Sequence, residues 1–168
     1  MPWLKYLLKH VLGLHRIRHD GSLRFIVVDG STIQERGATT SSYRLHLAID
    51  LLDLALTQAV VTTNQVGEKL QHYTIQEGDV LIADRGYSRT TTLLPMIDQG
   101  ADVIVRYNPQ NMVLYHHDER MLKVDWQRTL ETLTPIPHVI PVYLSHASLR
   151  ISGYVHAIPV PYEQADQA

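Results

Sequence analysis

The chain has no cysteine in 168 residues. The missing thiols exclude a disulfide framework, a thiolate zinc site and a cysteine nucleophile, so any metal must be held by oxygen or imidazole. No apolar run approaches the roughly 20 residues that a membrane-spanning helix requires. Residues 1–19 are broken by Lys5, Lys9, His10, His15 and Arg16, which argues against a membrane segment and a signal peptide alike. No Gly-x-Ser-x-Gly elbow for a serine hydrolase is present, and Gly30, Gly37, Gly67, Gly78, Gly86 and Gly100 are too scattered to build a phosphate-cradling loop. There is no internal repeat. A basic excess is also missing: the net charge is −2, which argues against a self-sufficient nucleic-acid binder. The charge is uneven, however. Residues 1–24 carry five cations against Asp20, a basic arm on an otherwise acidic chain.

What the chain does have is enough apolar material, 45% of its residues, to bury the core of one domain. Leu4, Leu7, Leu8, Val11 and Leu12 recur at helical spacing up to Gly13, so residues 3–12 read as a short amphipathic helix. Leu23 to Val28 reads as a buried strand that turns at Asp29-Gly30-Ser31. Tyr43 to Leu51 alternates, Leu54 to Thr63 continues extended, and the three segments form an antiparallel meander. Gln65 to Tyr73 fits a short helix, Val80 to Ala83 a second buried strand ending at Asp84, and Thr91 to Gln99 a helix stopped by Gly100 and capped by Ser88 or Thr90. Asp102 to Tyr107 is a further strand. Beyond residue 110 the pattern changes to short strands at Met112 to Tyr115, Met121 to Val124, His138 to Leu144 and Leu149 to Ile158, with Trp126 to Leu133 helical. The expected fold is therefore α+β with a mixed sheet. The expected divisions are a helix and basic arm over 1–22, a core over 23–110, a β-rich insertion over 111–160 and a frayed tail over 161–168.

Two apolar runs break off at an aspartate, Phe25-Ile26-Val27-Val28-Asp29 and Val80-Leu81-Ile82-Ala83-Asp84. Carboxylates at the ends of two adjacent buried strands would sit close enough to share divalent ions, as in two-metal phosphodiester chemistry. The plainer reading makes both aspartates simple turn starters. In this setting Val27-Val28-Asp29-Gly30-Ser31-Thr32, the strand Tyr43 to Leu51, the run Gly78-Asp79-Val80-Leu81-Ile82-Ala83-Asp84-Arg85-Gly86-Tyr87 and the segment Val103 to Asn108 resemble, in order and spacing, the DDE transposases of bacterial insertion sequences, specifically the insertion-sequence-four family. The likeness covers residues 23–108.

That resemblance implies a ribonuclease-H-like core with a β-rich insertion, two Mg²⁺ or Mn²⁺ ions, and DNA cleavage followed by strand transfer. It makes Asp29 and Asp84 the first two catalytic metal ligands and places Arg85 and Tyr87 to contact phosphate or an unpaired base. It also implies DNA ends and target DNA as partners, homodimers or heterodimers with full-length transposase, no membrane, and a bacterial cytoplasmic setting on the nucleoid. The family's third ligand is a glutamate in the pattern Tyr, two residues, Arg, three residues, Glu, six residues, Lys, and no stretch here satisfies it. Glu131 has Gln127 and His138 where arginine and lysine belong, Glu119 sits in a polar turn, and Glu163 lies in a proline-flanked tail. Without this region, and with only 22 residues before Leu23, the expectation is a partial transposase, weak or inactive alone. The alternative is a non-catalytic product that binds or interferes with full-length transposase or transposon-end DNA.

The ten histidines suggest three further metal arrangements. His15 and His19 lack a third partner, His116-His117-Asp118-Glu119 crowd one turn, and His46 lies on a strand beside that of Asp29, either as a core histidine or near the metal pocket.

Overall fold

The computed structural model describes residues 23–37, 39–52, 54–67, 69–119, 121–147 and 149–159. The helix expected over 3–12 and the tail over 161–168 lie outside these residues. The chain divides between Met112 and Val113 into two compact units. No helix among the described residues is long and apolar enough to cross a membrane.

The unit before Val113 holds a five-stranded mixed sheet in the order β3-β2-β1-β4-β5, built from β1 (Arg24–Ile33), β2 (Tyr43–Asp50), β3 (Ala55–Thr63), β4 (Asp79–Ala83) and β5 (Asp102–Val105). The first three form the expected antiparallel meander, whereas β4 and β5 run parallel to β1. One expectation is corrected here: β1 does not turn at Asp29. It runs on to Ile33 because β2 supplies partners from Ile26↔Asp50 to Ile33↔Tyr43.

Alternation along the strands separates the sheet into two faces. Ile26, Val28, His46, Ala48, Leu81 and Ala83 are buried on one face. Against that face His46 meets the rings of His72 and Tyr73 at 4.5 and 6.3 Å. His72 belongs to the 3-10 turn η1 (Leu70–His72), all that forms of the helix expected over 65–73. Gln58 Nε2 donates to the His72 carbonyl and Gln58 Oε1 accepts from Thr74 N, which fastens this turn to β3.

Between β4 and β5 stand a second 3-10 turn, η2 (Arg85–Tyr87), and helix α1 (Thr90–Asp98). Neither Ser88 nor Thr90 caps α1. The N-cap is Arg89 without a side-chain bond, and Ser88 is buried with its Oγ accepting from Asn108 N at 3.1 Å. Pro95 inside the helix has no N–H to offer the Thr91 carbonyl. Gln71 Nε2 donates to that carbonyl at 3.2 Å, so the missing helical bond is replaced by a tie to η1.

The helix ends as expected at Gly100, in a Schellman arrangement with Ala101 N donating to Met96 O and Gly100 N to Ile97 O. Gly100 has φ +83°, and an added Cβ would stand 2.8 Å from Glu77 Cγ. Gly100→Ala is expected to cost about 1–2 kcal/mol, from the left-handed backbone with a small addition for moving Glu77. Chemical denaturation checks this, and a loss below about 0.3 kcal/mol would show that the turn relaxes freely.

The unit from Val113 onward is a three-stranded antiparallel sheet, β6-β7-β8, from β6 (Leu114–His116), β7 (His138–His146) and β8 (Leu149–Ala157). The strand expected at 121–124 amounts to a single bridge, Tyr115 to Lys123. Helix α2 (Trp126–Glu131) starts at Asp125, whose side chain accepts from Arg128 N. Tyr143, 2% exposed, stacks on Tyr115 at 5.1 Å and carries the Arg150 guanidinium 3.8 Å from its ring centre.

Candidate functional site

The parallel pairing of β1 with β4 sets Arg24 opposite Asp79 and Val27 opposite Ile82. Continuing the same register two residues further brings Asp29 opposite Asp84, whose backbone is still extended at φ −83° and ψ 176°. The β4–β5 register, ending at Ala83↔Val105, likewise brings Asp84 opposite Arg106. Continued past the paired residues, these registers set Leu47, Asp29, Asp84 and Arg106 in one row, with Asp84 and Arg106 each one residue beyond the end of its strand. The two aspartates singled out in the sequence are therefore brought together on adjacent parallel strands, Asp29 within β1 and Asp84 just past the C-terminal end of β4. Both are exposed, and a substrate can reach them.

Their immediate partners differ. Asp29 Oδ2 accepts from Ser31 Oγ at 3.4 Å. Asp84 is gripped by Arg106 with two contacts, Nε to Oδ1 at 2.9 Å and Nη2 to Oδ2 at 3.3 Å. Arg106 was not among the residues picked out in sequence. The pair is exposed on both sides, so it contributes little to stability and can exchange partners.

Arg85 projects as an exposed cation directly after Asp84. Tyr87 is placed quite differently: it is 1% exposed. Its hydroxyl lies 3.0 Å from that of Tyr73, and Tyr73 donates to the Asp29 backbone carbonyl at 3.0 Å. With the Tyr73 proton committed to that carbonyl, Tyr87 is the donor to Tyr73. The two tyrosines link the loop after Asp84 to the backbone of Asp29, and in this conformation the Tyr87 ring faces the core rather than solvent.

His46 pairs with Gly30 while Leu47 pairs with Asp29, so the imidazole lies on the face opposite the carboxylates. It is fully buried. Thr62 Oγ1 donates to the Thr63 carbonyl and so accepts from His46 Nε2, leaving Nδ1 as a buried lone pair with no hydrogen-bond partner. Burial first, then the nearby His72 and Arg44, lowers the His46 pKa. A base depressed in the fold is neutral there while the unfolded chain takes up a proton, so its contribution is complete above about pH 6.5 and is lost as pH falls toward the lower folded value. Stability is expected to fall as pH drops below about 6.5, and His46→Gln should flatten that dependence. Equal pH dependence in both proteins, measured by urea midpoints, would assign the effect elsewhere.

The remaining candidates do not assemble. His117 Nδ1 meets Asp118 Oδ1 at 3.2 Å, Glu119 and Glu131 are exposed, and Gln127 Nε2 donates to Glu131 Oε1. His15, His19 and Glu163 lie outside the described residues. Among those described, no three His, Asp or Glu side chains converge as a metal-binding group. Two carboxylates alone still suit Mg²⁺, which commonly takes one or two from protein and completes its shell with water and substrate phosphate.

Residues 20–143 match a family model described as Transposase DDE domain. No curated protein and no solved structure matches the chain.

Proposed function

The chain belongs to the transposase DDE domain family, and from that premise we propose that it carries a partial phosphodiester-cleaving centre of the insertion-sequence-four kind, in which Asp29 and Asp84 hold a divalent ion. The observation that carries this is the register shared by β1 and β4, which continued two residues sets Asp29 within β1 beside Asp84 at the end of β4. The sheet order β3-β2-β1-β4-β5 supports a ribonuclease-H-like core. In the intact family the reaction is metal-dependent DNA cleavage and strand transfer.

Mg²⁺ or Mn²⁺ held there would supply Lewis-acid stabilisation of a phosphoryl oxygen and a lowered pKa for bound water. The protein's own contribution is positional. The paired interior of β1 holds Asp29, the end of β4 leads into Asp84, and Tyr73 anchors the Asp29 backbone. Arg106 pairs with both oxygens of Asp84 and, if an ion were to take over that carboxylate, its guanidinium would be placed to meet two phosphate oxygens. Arg85 offers a second cation to the same strand.

In Mn²⁺ calorimetry, Asp29→Asn and Asp84→Asn are each expected to weaken binding at least about tenfold, the scale on which even supporting groups act at metal sites. Unchanged affinity in both variants would reject the paired-ligand centre.

The engagement of both Asp84 carboxylate oxygens by Arg106 favours a second reading. In it the chain is a non-catalytic partner that binds full-length transposase, or transposon-end DNA, and interferes. Co-purification with an intact relative supports it, and a strictly monomeric protein indifferent to terminal-repeat DNA counts against it.

A further inference from the structure

A cavity of about 790 Å³ opens in the same unit, lined by Arg44, Lys69, Gln71, His72, Arg89 and Thr91 among others. Among the described residues its charge is one-sided. Arg44, Lys69 and Arg89 all face it, and no described acidic residue lines it, although the chain as a whole carries −2. Lys69 and Arg89 are exposed and have no acidic partner among the described residues.

The surroundings reinforce that sign. The first turn of α1 contributes Thr91 and Thr92 to the lining, and although Thr92 N and Leu93 N both donate to Arg89 O, the helix dipole adds partial positive charge at this terminus. The volume lies in the range of sites that hold small molecules or nucleotide units, well beyond one simple ion.

Its place in the fold suggests the occupant. Arg44 pairs with Thr32, three residues beyond Asp29 on β1, and Gly86 follows Asp84 by two. The cavity and the carboxylate row therefore share one end of the sheet. Arg44, an even-numbered partner of β1 like His46, belongs to the opposite face.

We propose that this cavity is a second phosphate-binding site, which grips the backbone of the DNA strand on the far side of the sheet end from Asp29 and Asp84. The proposal rests on the DNA reading above and adds to it a site independent of the metal ligands. Lys69 and Arg89 supply exposed cations, Arg44 a half-buried one, and the α1 terminus its dipole.

The test is fluorescence anisotropy of a short labelled duplex with the full chain over a series of salt concentrations. Each lost phosphate contact lowers the slope of log K against log salt by about 0.9, so Lys69→Ala/Arg89→Ala should reduce it by about 1.8. Lys69→Arg/Arg89→Lys should keep the wild-type slope. If the alanine variant does not fold, Arg89→Gln alone should reduce the slope by about 0.9. A variant slope equal to wild type overturns the cavity proposal while the DNA reading stands. Failure of the DNA reading looks different: wild type then binds no duplex. In that case pyrophosphate, followed by the amide resonances of Lys69 and Arg89, decides the ligand. Shifts there make the cavity a small-phosphate site and overturn the DNA occupant, and no shifts overturn the anion site altogether.

Discussion

Replacing Arg24 by methionine is expected to destabilise the sheet-bearing unit by about 3 kcal/mol, the lower end of the cost of breaking a buried ion pair. The guanidinium donates to Asp79 twice, Nε to Oδ1 at 2.9 Å and Nη2 to Oδ2 at 2.7 Å. Asp79 is only 2% exposed, whereas the Arg24 side chain is 32% exposed. Hydrogen bonding to Asp79 is the main cause of the raised Arg24 pKa. Without the arginine, Asp79 keeps the Gln76 N–H at 2.8 Å and little else to balance a buried charge. Water reaching the arginine side of the pair places the cost at the lower end. Arg24→Met/Asp79→Leu should recover most of the loss, because an apolar pair of similar volume often replaces a buried ion pair without penalty. Urea denaturation of the three proteins checks this. A single-mutant loss under about 0.5 kcal/mol would mean that the clamp is not acting.

The position of that clamp ties stability to chemistry. Arg24 and Asp79 are direct partners at the start of the β1–β4 pairing, and the same register, five residues on, sets Asp29 beside Asp84. A one-residue slip would turn one carboxylate to the opposite face. The ion pair opposes that slip by coupling charge to register, so a residue remote from the site helps specify its geometry.

The parts legible in sequence were those carried by local pattern. Alternation in Tyr43 to Leu51 located β2, the apolar run before Asp84 located β4, and Gly100 marked the end of α1. The aspartate pair was legible because both residues end an apolar run. Local pattern failed where a partner strand decides the outcome. Gly30-Ser31 reads as a turn, yet pairing with β2 keeps β1 extended to Ile33. Arg106 is 22 residues from Asp84 and becomes its partner only through the β4–β5 register. Arg44, Lys69 and Arg89 are equally scattered, so a count of charge by segment drew attention to the N-terminal arm and averaged this cluster away.

Tyr87→Ala is expected to cost about 3–5 kcal/mol, as for a buried aromatic cut back to a methyl group. Tyr87→Phe should cost about 1 kcal/mol, the net worth of one hydrogen bond. Tyr87 is 1% exposed and its ring lies 6.4 Å from that of Tyr73, so alanine would leave a cavity where η2 meets η1. Phenylalanine keeps that volume and removes only the donor to Tyr73, which retains its bond to the Asp29 carbonyl. The two substitutions separate the roles proposed for this residue. If Tyr87 supports the acidic pair from below, Tyr87→Phe should leave duplex affinity unchanged while Tyr87→Ala unfolds the unit at lower urea. If instead the phenol reaches DNA after a local opening, Tyr87→Phe should weaken DNA binding while leaving the urea midpoint within about 1 kcal/mol of wild type. The buried donor chain favours the first outcome, because exposing the ring would break the bond to Tyr73 and empty the packed site together.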